Sequence, residues 1–297
     1  ALNGRIAYLE TSRGCPYSCA FCLSGFGRVR YFNLERAKEE LLLLANSGTQ
    51  TVKLVDRTFN ARRSRAVELF RFIIDNYGHR IPSGVHIHFE IAGDLLDDET
   101  IDLLARAPAG AIQFEIGLQS FNSETLAAIN RKTDLERLQK NVRRLVENGN
   151  IHIHLDLIAG LPYEDLASFA ESFNTAYKLR PHMLQLGFLK LLHGSQMRVE
   201  PEKYPCVYED EPPYEVRETP WLSAAELRYL KGTEEALERL YNSGRFRRTL
   251  EYLFGQLKLE PFELFGQFGQ YLAARGTYGM PLDNFLALIL EYFGTQA

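Results

Sequence analysis

Three of the four cysteines in this 297-residue chain fall within one octapeptide, Cys15-Pro16-Tyr17-Ser18-Cys19-Ala20-Phe21-Cys22. Gaps of four and three residues let three thiolates converge from a tight loop on one inorganic centre, the way iron–sulfur clusters are held. A [4Fe–4S] cluster ligated fully by protein takes four cysteines. The local motif stops at three, and the fourth, Cys206, stands alone in a proline-rich stretch, where it reads as an ordinary free thiol. One iron would then stay open, and an open position is what separates a catalytic metal site from a structural one. Two competing readings fit less well. A disulfide framework spreads its cysteines to staple distant loops, and a structural zinc site shows paired two-residue gaps.

Such a loop needs a rigid frame. Apolar runs of strand length recur at 5–10, 51–56, 85–91, 111–119, 151–158 and 183–192. Between them lie helical patterns near 34–47, 61–77, 97–106, 123–147 (broken around Asn130–Asp134) and 165–178. Asn33 is placed to cap the first helix and Gly48 to stop it, while Asp97 or Asp98 suits the start of the third. Strand–helix alternation repeated six times predicts an α/β fold with a parallel sheet, doubly wound or curled into a barrel. Strand parity adds detail, because side chains alternate faces. His86, His88 and Glu90 share one face; so do Gln113, Glu115, Gly117 and Gln119, and so do His152, His154 and Asp156. The opposite faces are apolar, so three strands turn polar side chains toward a common lumen. In parallel barrels the active site lies at the C-terminal strand ends, which is where Glu90, Gln119, Asp156 and the cysteine loop fall. His86 and His152 lie four residues lower, about 13 Å at 3.3 Å per residue, and suit hydrogen bonding in the lumen better than a second metal. Arg57, Arg62, Arg63 and Arg65 follow the second strand and read as a solvated helix face.

Composition changes after Ser195. Five prolines between Pro201 and Pro220 mark a linker or extended arm, and the remainder is helical: Ser223–Tyr241, then near 246–257, 261–274 and 281–293. Phe262, Phe265, Phe268 and Tyr271 form a stripe expected to pack on a core. The expected division is residues 1–198 for the barrel, 199–222 for the arm and 223–297 for a helical domain. The helices after Ser223 are expected near the open side of a six-stranded barrel. Net charge is -4, from 34 basic and 38 acidic residues, which argues against recruitment to nucleic acid or a membrane surface by bulk charge. No apolar run is long enough to span a bilayer and no signal-peptide pattern opens the chain, so a cytoplasmic protein is expected. The chain starts with Ala1 and enters a strand almost at once, which reads as a fragment with sequence upstream.

Cys-x3-Cys-x2-Cys with an aromatic, Phe21, before the last cysteine resembles the signature of the radical S-adenosylmethionine superfamily. The resemblance runs from about Ile6 to Ser195 and implies a partial (β/α)6 TIM-like barrel followed by an all-helical C-terminal region. It implies a [4Fe–4S] cluster on Cys15, Cys19 and Cys22 whose open iron takes the amino and carboxylate groups of S-adenosylmethionine. An electron from the cluster then cleaves the sulfonium to give a 5′-deoxyadenosyl radical. Carried over position by position, it assigns Phe21, Asp56 (in the loop after the second strand), Glu90, Gln119, Arg131 and Asp156 to S-adenosylmethionine. These positions look most like relatives of oxygen-independent coproporphyrinogen oxidase and of elongator-type enzymes. The Glu10-to-Cys15 approach, the Asp56-to-Asn60 segment and the Leu189-to-Gly194 segment look like cobalamin-binding radical enzymes. The tail resembles an uncharacterised helical domain found in some of those. Their cobalamin domain precedes the barrel; this chain carries no cobalamin fingerprint, so cobalamin use through a missing upstream domain is an expectation of the resemblance alone. The implied chemistry is methyl transfer, oxidative cyclisation or rearrangement on an unknown small molecule or peptide, with electrons from a flavodoxin- or ferredoxin-type donor and no nucleic-acid partner. The alternative is a haem-binding carrier related to coproporphyrinogen oxidase, without radical catalysis.

Overall fold

The structure is a computed structural model that describes residues 2–25, 28–276 and 280–294. Its centre is a six-stranded, wholly parallel sheet: β1 (Ile6–Leu9), β4 (Thr51–Leu54), β5 (His86–Ile91), β6 (Ile112–Gln119), β7 (His152–Ala159) and β8 (Met183–Phe188), in that spatial order. The crossovers carry α1 (Leu34–Ala45), α2 (Arg63–Asn76), α3 (Asp98–Leu104), α4 (Ser123–Ala128) with α5 (Leu135–Asn148), and α6 (Leu166–Lys178). Asn33, Asp97, Asn122, Asp134 and Asp165 accept from backbone amides of the first turn of their helices, satisfying donors that the helix cannot.

Burial decides between the two parallel-sheet alternatives. A doubly wound sheet buries both faces and reads as continuous apolar strands. β5, β6 and β7 instead alternate, broken only where Leu118 and Gln119 are both buried at the end of β6, with Ile87, Phe89, Phe114, Ile116, Ile153 and Leu155 fully buried under the helices. The other face keeps partly exposed polar side chains. The sheet is therefore an open barrel with a wet lumen. Its β1 side is the more open, with Ile6 52% and Tyr8 63% exposed on that face.

Two short ribbons flank this frame. β2 (Ser12–Arg13) pairs antiparallel with β3 (Arg30–Tyr31), so that the cysteine loop is the bulge of a hairpin. The proline-rich arm is the docked alternative rather than a free linker. After the one-turn α7 (Gln196–Val199) it forms β9 (Val207–Tyr208) and β10 (Val216–Glu218). Val216 donates to the Leu189 carbonyl and Leu191 to the Tyr214 carbonyl, which ends β8 at Phe188 instead of continuing it to residue 192. The long C-terminal helix expected over Ser223–Tyr241 is α8 (Ala224–Leu237) passing into a π-helical turn, Glu238–Asn242. That turn places Asn242 against the free edge of β8. Its side chain accepts from Leu184 N at 3.0 Å and donates to Leu184 O at 2.9 Å, pairing an edge that would otherwise be open. The helical tail thus covers the β8 side of the barrel gap.

α9 (Arg247–Leu257), α10 (Pro261–Ala273) and α11 (Leu282–Gly294) complete the tail. α8 and α10 cross at Gly232 and Gly269, where a Cβ on Gly269 would lie 2.1 Å from the Gly232 carbonyl oxygen; only glycine permits that approach. Phe262 and Phe265 pack edge-on against Phe173 of α6, and Phe268 packs against Phe285 and Phe293 of α11. The aromatic stripe is core. Among the described residues no helix is long and apolar enough to cross a membrane.

Candidate functional site

The cysteine loop is tied down at both ends. On entering it, Thr11 and Ser12 give three hydrogen bonds to one buried carboxylate, Asp56, from Thr11 N at 2.9 Å, Thr11 Oγ1 at 2.8 Å and Ser12 Oγ at 2.5 Å. Arg65 clasps the same strand ends, donating to the carbonyls of Phe32 at 2.9 Å and Thr11 at 3.0 Å. Toward its far end, between Cys19 and Cys22, Ala20 N bonds to Ile129 O and Ala20 O accepts from Met197 N. The three thiols therefore sit on a segment braced by the loop after β4, by α4 and by α7. Cys15 Sγ lies 3.3 Å from Thr58 Oγ1, and the Cys22 sulfur accepts from Ser24 N at 3.4 Å.

All three cysteines line a single cavity of about 180 Å³ at the C-terminal ends of the strands. Phe21, Glu90, Gln119, Arg131 and Asp156 line the same cavity, brought in from the loop, β5, β6, the α4–α5 connection and β7. Asp56 does not. It is 1% exposed and committed to Thr11 and Ser12, because the chain turns its carboxylate back under the loop instead of forward into the cavity. Wall residues not assigned to the site from the sequence include four with polar side chains, Tyr17, Arg57, Thr58 and Glu115. Glu115 had been placed on the lumen face by parity alone. Lys53 below them was missed because β4 is short; its Thr51–Lys53 face alternates with buried Val52 and Leu54, and that alternation was the available signal. Of the four arginines after β4, Arg65 is buried and structural, contrary to a solvated reading, and Arg57 faces the cavity.

Charge in the lumen is organised in pairs. Glu115 sits between His88 Nε2 at 2.9 Å and Lys53 Nζ at 3.0 Å, and these donors hold its carboxyl down at about 2. Glu90 is raised above the usual carboxylate range by burial and by the neighbouring Glu115 charge, although Arg57 and Lys53 lie 3.6 and 3.8 Å away and oppose this. His154 and Asp156 approach to 2.7 Å without good hydrogen-bond alignment. Burial raises Asp156; at His154 burial is outweighed by Asp156, which raises that residue too. Deeper, burial and the surrounding histidines depress His152 to about 4; its ring lies tilted against His182 with centroids 5.0 Å apart, and His86 Nδ1 donates to Gly110 O at 2.5 Å. These histidines have structural partners. Among the described residues no three His, Cys, Asp or Glu side chains converge on one ion.

The last strand residue of β6 is held in an unusual state. Gln119 takes φ 75°, in the left-handed region, at a bulge in the β6–β7 register, and its Oε1 is buried without a partner. It folds back over Gly117, where a Cβ would lie 2.4 Å from Gln119 Nε2. Underneath, the next residue, Ser120, donates to Glu164, as does Ser172 at 3.1 Å; Glu164 is fully buried and burial pushes its carboxyl up to about 7. An unpartnered acceptor on a residue that lines a cavity fits a ligand that donates hydrogen bonds. Three thiols around a cavity, too spread for one ion, fit a cluster of several irons better than zinc, and the residues present thus suit [4Fe–4S] plus a small polar ligand.

An open six-stranded barrel with three clustered thiols at its rim defines the class. Residues 9–176 match the radical SAM superfamily model, and the chain belongs to that superfamily, whose cofactors are a [4Fe–4S] cluster and S-adenosylmethionine. Residues 202–284 match a second family described as a protein of unknown function (DUF4080). The chain is 30% identical over 190 residues to 2-(S-pantetheinyl)-carbapenam-3-carboxylate methyltransferase of Streptantibioticus cattleyicolor, covering 59% of this chain and 26% of that protein. It is 29% identical over 198 residues to the cobalamin-dependent radical SAM methyltransferase TokK of Streptomyces tokunonensis, covering 62% and 28%. The chain thus spans about a quarter of those relatives. The structure of the radical S-adenosylmethionine methyltransferase TsrM from Kitasatospora setae, with cobalamin and a [4Fe–4S] cluster bound, superposes with a TM-score of 0.58 at 21% identity, over 66% of this chain and 39% of that one, which supports the fold.

Proposed function

We propose that this chain is the catalytic barrel of a cobalamin-dependent radical methyltransferase, with Cys15, Cys19 and Cys22 holding a [4Fe–4S] cluster. The observation that carries the reading is that these thiols share one cavity with Phe21, Glu90, Gln119, Arg131 and Asp156, residues far apart in sequence. When bound, the cluster supplies the electron that cleaves S-adenosylmethionine. The protein's part is to bind and to orient. Glu90 and Asp156, both biased toward accepting a proton or a hydrogen bond, suit the hydroxyl and amino donors of that ligand, and the free Gln119 Oε1 adds a third acceptor. Phe21 gives an apolar wall for the adenine, and Arg131 a cation for the carboxylate. Asp56 is reassigned from ligand contact to bracing the cysteine loop.

Cobalamin and methyl transfer rest on the two relatives at 30% and 29% identity and belong to the longer protein. The substrate is a small molecule or peptide that enters the polar lumen, and the electron donor is a flavodoxin- or ferredoxin-type carrier. The test is anaerobic reconstitution with iron and sulfide, then electron paramagnetic resonance of the reduced protein with and without S-adenosylmethionine. A [4Fe–4S] signal that changes on adding the ligand and is lost in Cys19→Ala supports the reading. A cluster indifferent to S-adenosylmethionine, haem binding without its cleavage, or zinc in place of iron would each overturn it.

A further inference from the structure

Arg131 is held more tightly than carboxylate recognition alone requires. Its guanidinium donates through Nη2 to the Gly117 carbonyl at 2.6 Å and through Nε to Thr133 Oγ1 at 3.3 Å, and its carbon lies over the Tyr17 ring, 5.1 Å from the centroid. Its backbone is fixed too, with Arg131 N bonded to Leu126 O at 2.8 Å directly after Asn130, which takes φ 57°. With these partners in place, Nη1 points at Cys19 Sγ, 3.9 Å away. Cys19 is 6% exposed and is the buried member of the three thiols. No carboxylate lies within ion-pair distance of Arg131 among the described residues, whereas Arg57, the other arginine lining the cavity, lies 3.6 Å from Glu90. The result is an uncompensated cation fixed beside the sulfur that water screens least.

We propose that Arg131 is a positioning residue for the cluster's electronic state: it holds a hydrogen bond and a positive charge on the Cys19 sulfur and so raises the potential at which the cluster accepts its electron. The inference rests on the cluster reading above and goes beyond contact with the S-adenosylmethionine carboxylate. Reduction adds one negative charge to a centre already ligated by three thiolates. A nearby cation in a partly desolvated site stabilises that added charge, and hydrogen bonds to cluster sulfurs act in the same direction. Gly117 belongs to the device, since its carbonyl anchors Nη2.

The experiment is a redox titration of the reconstituted chain, followed by electron paramagnetic resonance and performed without S-adenosylmethionine, on the native sequence and on Arg131→Lys, Arg131→Gln and Arg131→Leu. Iron and sulfide content are measured first. Arg131→Leu is expected to lower the reduced-to-oxidised ratio at fixed potential ten- to a hundredfold, where each tenfold is about 59 mV for a one-electron couple. Arg131→Gln should fall between, and Arg131→Lys should retain most of the native value because it keeps the charge. If Arg131→Leu takes up no cluster, the comparison of Arg131→Gln with Arg131→Lys decides, since both keep a long polar side chain. Ratios within threefold of native in every variant that loads would overturn the proposal. So would a shift seen only after S-adenosylmethionine is added, which would place Arg131 on the ligand alone. Failure of the native chain to form any [4Fe–4S] cluster would instead refute the cluster reading itself.

Discussion

Asp56 gives the sharpest test of what braces the cysteine loop. Its carboxylate is 1% exposed and accepts from the amide and hydroxyl of Thr11 and the hydroxyl of Ser12. A hydrogen bond to a charged group contributes about 1.5–3 kcal/mol. Three on one carboxylate do not sum fully, because they share an acceptor and a desolvation cost. Asp56→Ala also strands a buried N–H and two hydroxyls. The expected loss is about 3–5 kcal/mol, a large fraction of the roughly 5–15 kcal/mol that stabilises a native domain. Asp56→Asn keeps the shape and one acceptor oxygen and should lose about half as much. The assay is urea unfolding of the iron-free chain, alongside iron uptake on reconstitution. Both should fall together, because the loop that carries the thiols is what the bonds hold. If Asp56→Ala unfolds within about 1 kcal/mol of the native chain and loses only affinity for S-adenosylmethionine, the carboxylate faces the ligand and the bracing argument is wrong.

Gly117→Ala places a Cβ 2.4 Å from Gln119 Nε2, the far end of a flexible side chain. Stability should change by about 1 kcal/mol or less, while affinity for S-adenosylmethionine, read by calorimetry on the cluster-loaded chain, drops at least tenfold as Gln119 is displaced. Glu164, with a folded-state value of about 7 against an ordinary 4.5, contributes stability that is complete below pH 4.5 and is lost as pH rises through 7. Chemical denaturation of Glu164→Gln, set against native protein, should therefore show the difference moving in the variant's favour by about 3 kcal/mol between pH 4.5 and 7.5, at 1.36 kcal/mol per unit; parallel curves would refute the burial of this carboxyl. Asn242→Ala removes both bonds to the β8 edge, with a cost of about 1–3 kcal/mol and faster hydrogen exchange at the Leu184 amide, the donor that loses its partner.

The sequence was most informative where a local rule has no competitor. Three thiols at fixed spacing point to a shared inorganic centre from the local sequence alone. Alternation along 86–91, 112–119 and 152–159 specifies which side chains share a face, because a strand offers only two. Asn33 and Asp97 are caps because their side chains outcompete water for amides three residues on. Those rules sufficed for the parallel sheet and the polar lumen; the S-adenosylmethionine positions came from the family resemblance, and eight of the nine residues expected at the cluster or the ligand line one cavity. Tertiary structure decided what depends on partners distant in the chain. Asp56 was assigned to the ligand by the family resemblance, but in the fold its carboxylate accepts from Thr11 and Ser12, 45 and 44 residues away. Arg65 looked solvated because its neighbours in sequence are charged, yet the carbonyls it clasps lie across the hairpin. Whether the proline-rich arm trails or docks turned on two backbone bonds to residues 189–191. Arg131 touches Cys19 across 112 residues of sequence. No spacing rule reaches that far, because periodicity fixes the direction of a side chain from its own element, and only the packed fold fixes what it meets.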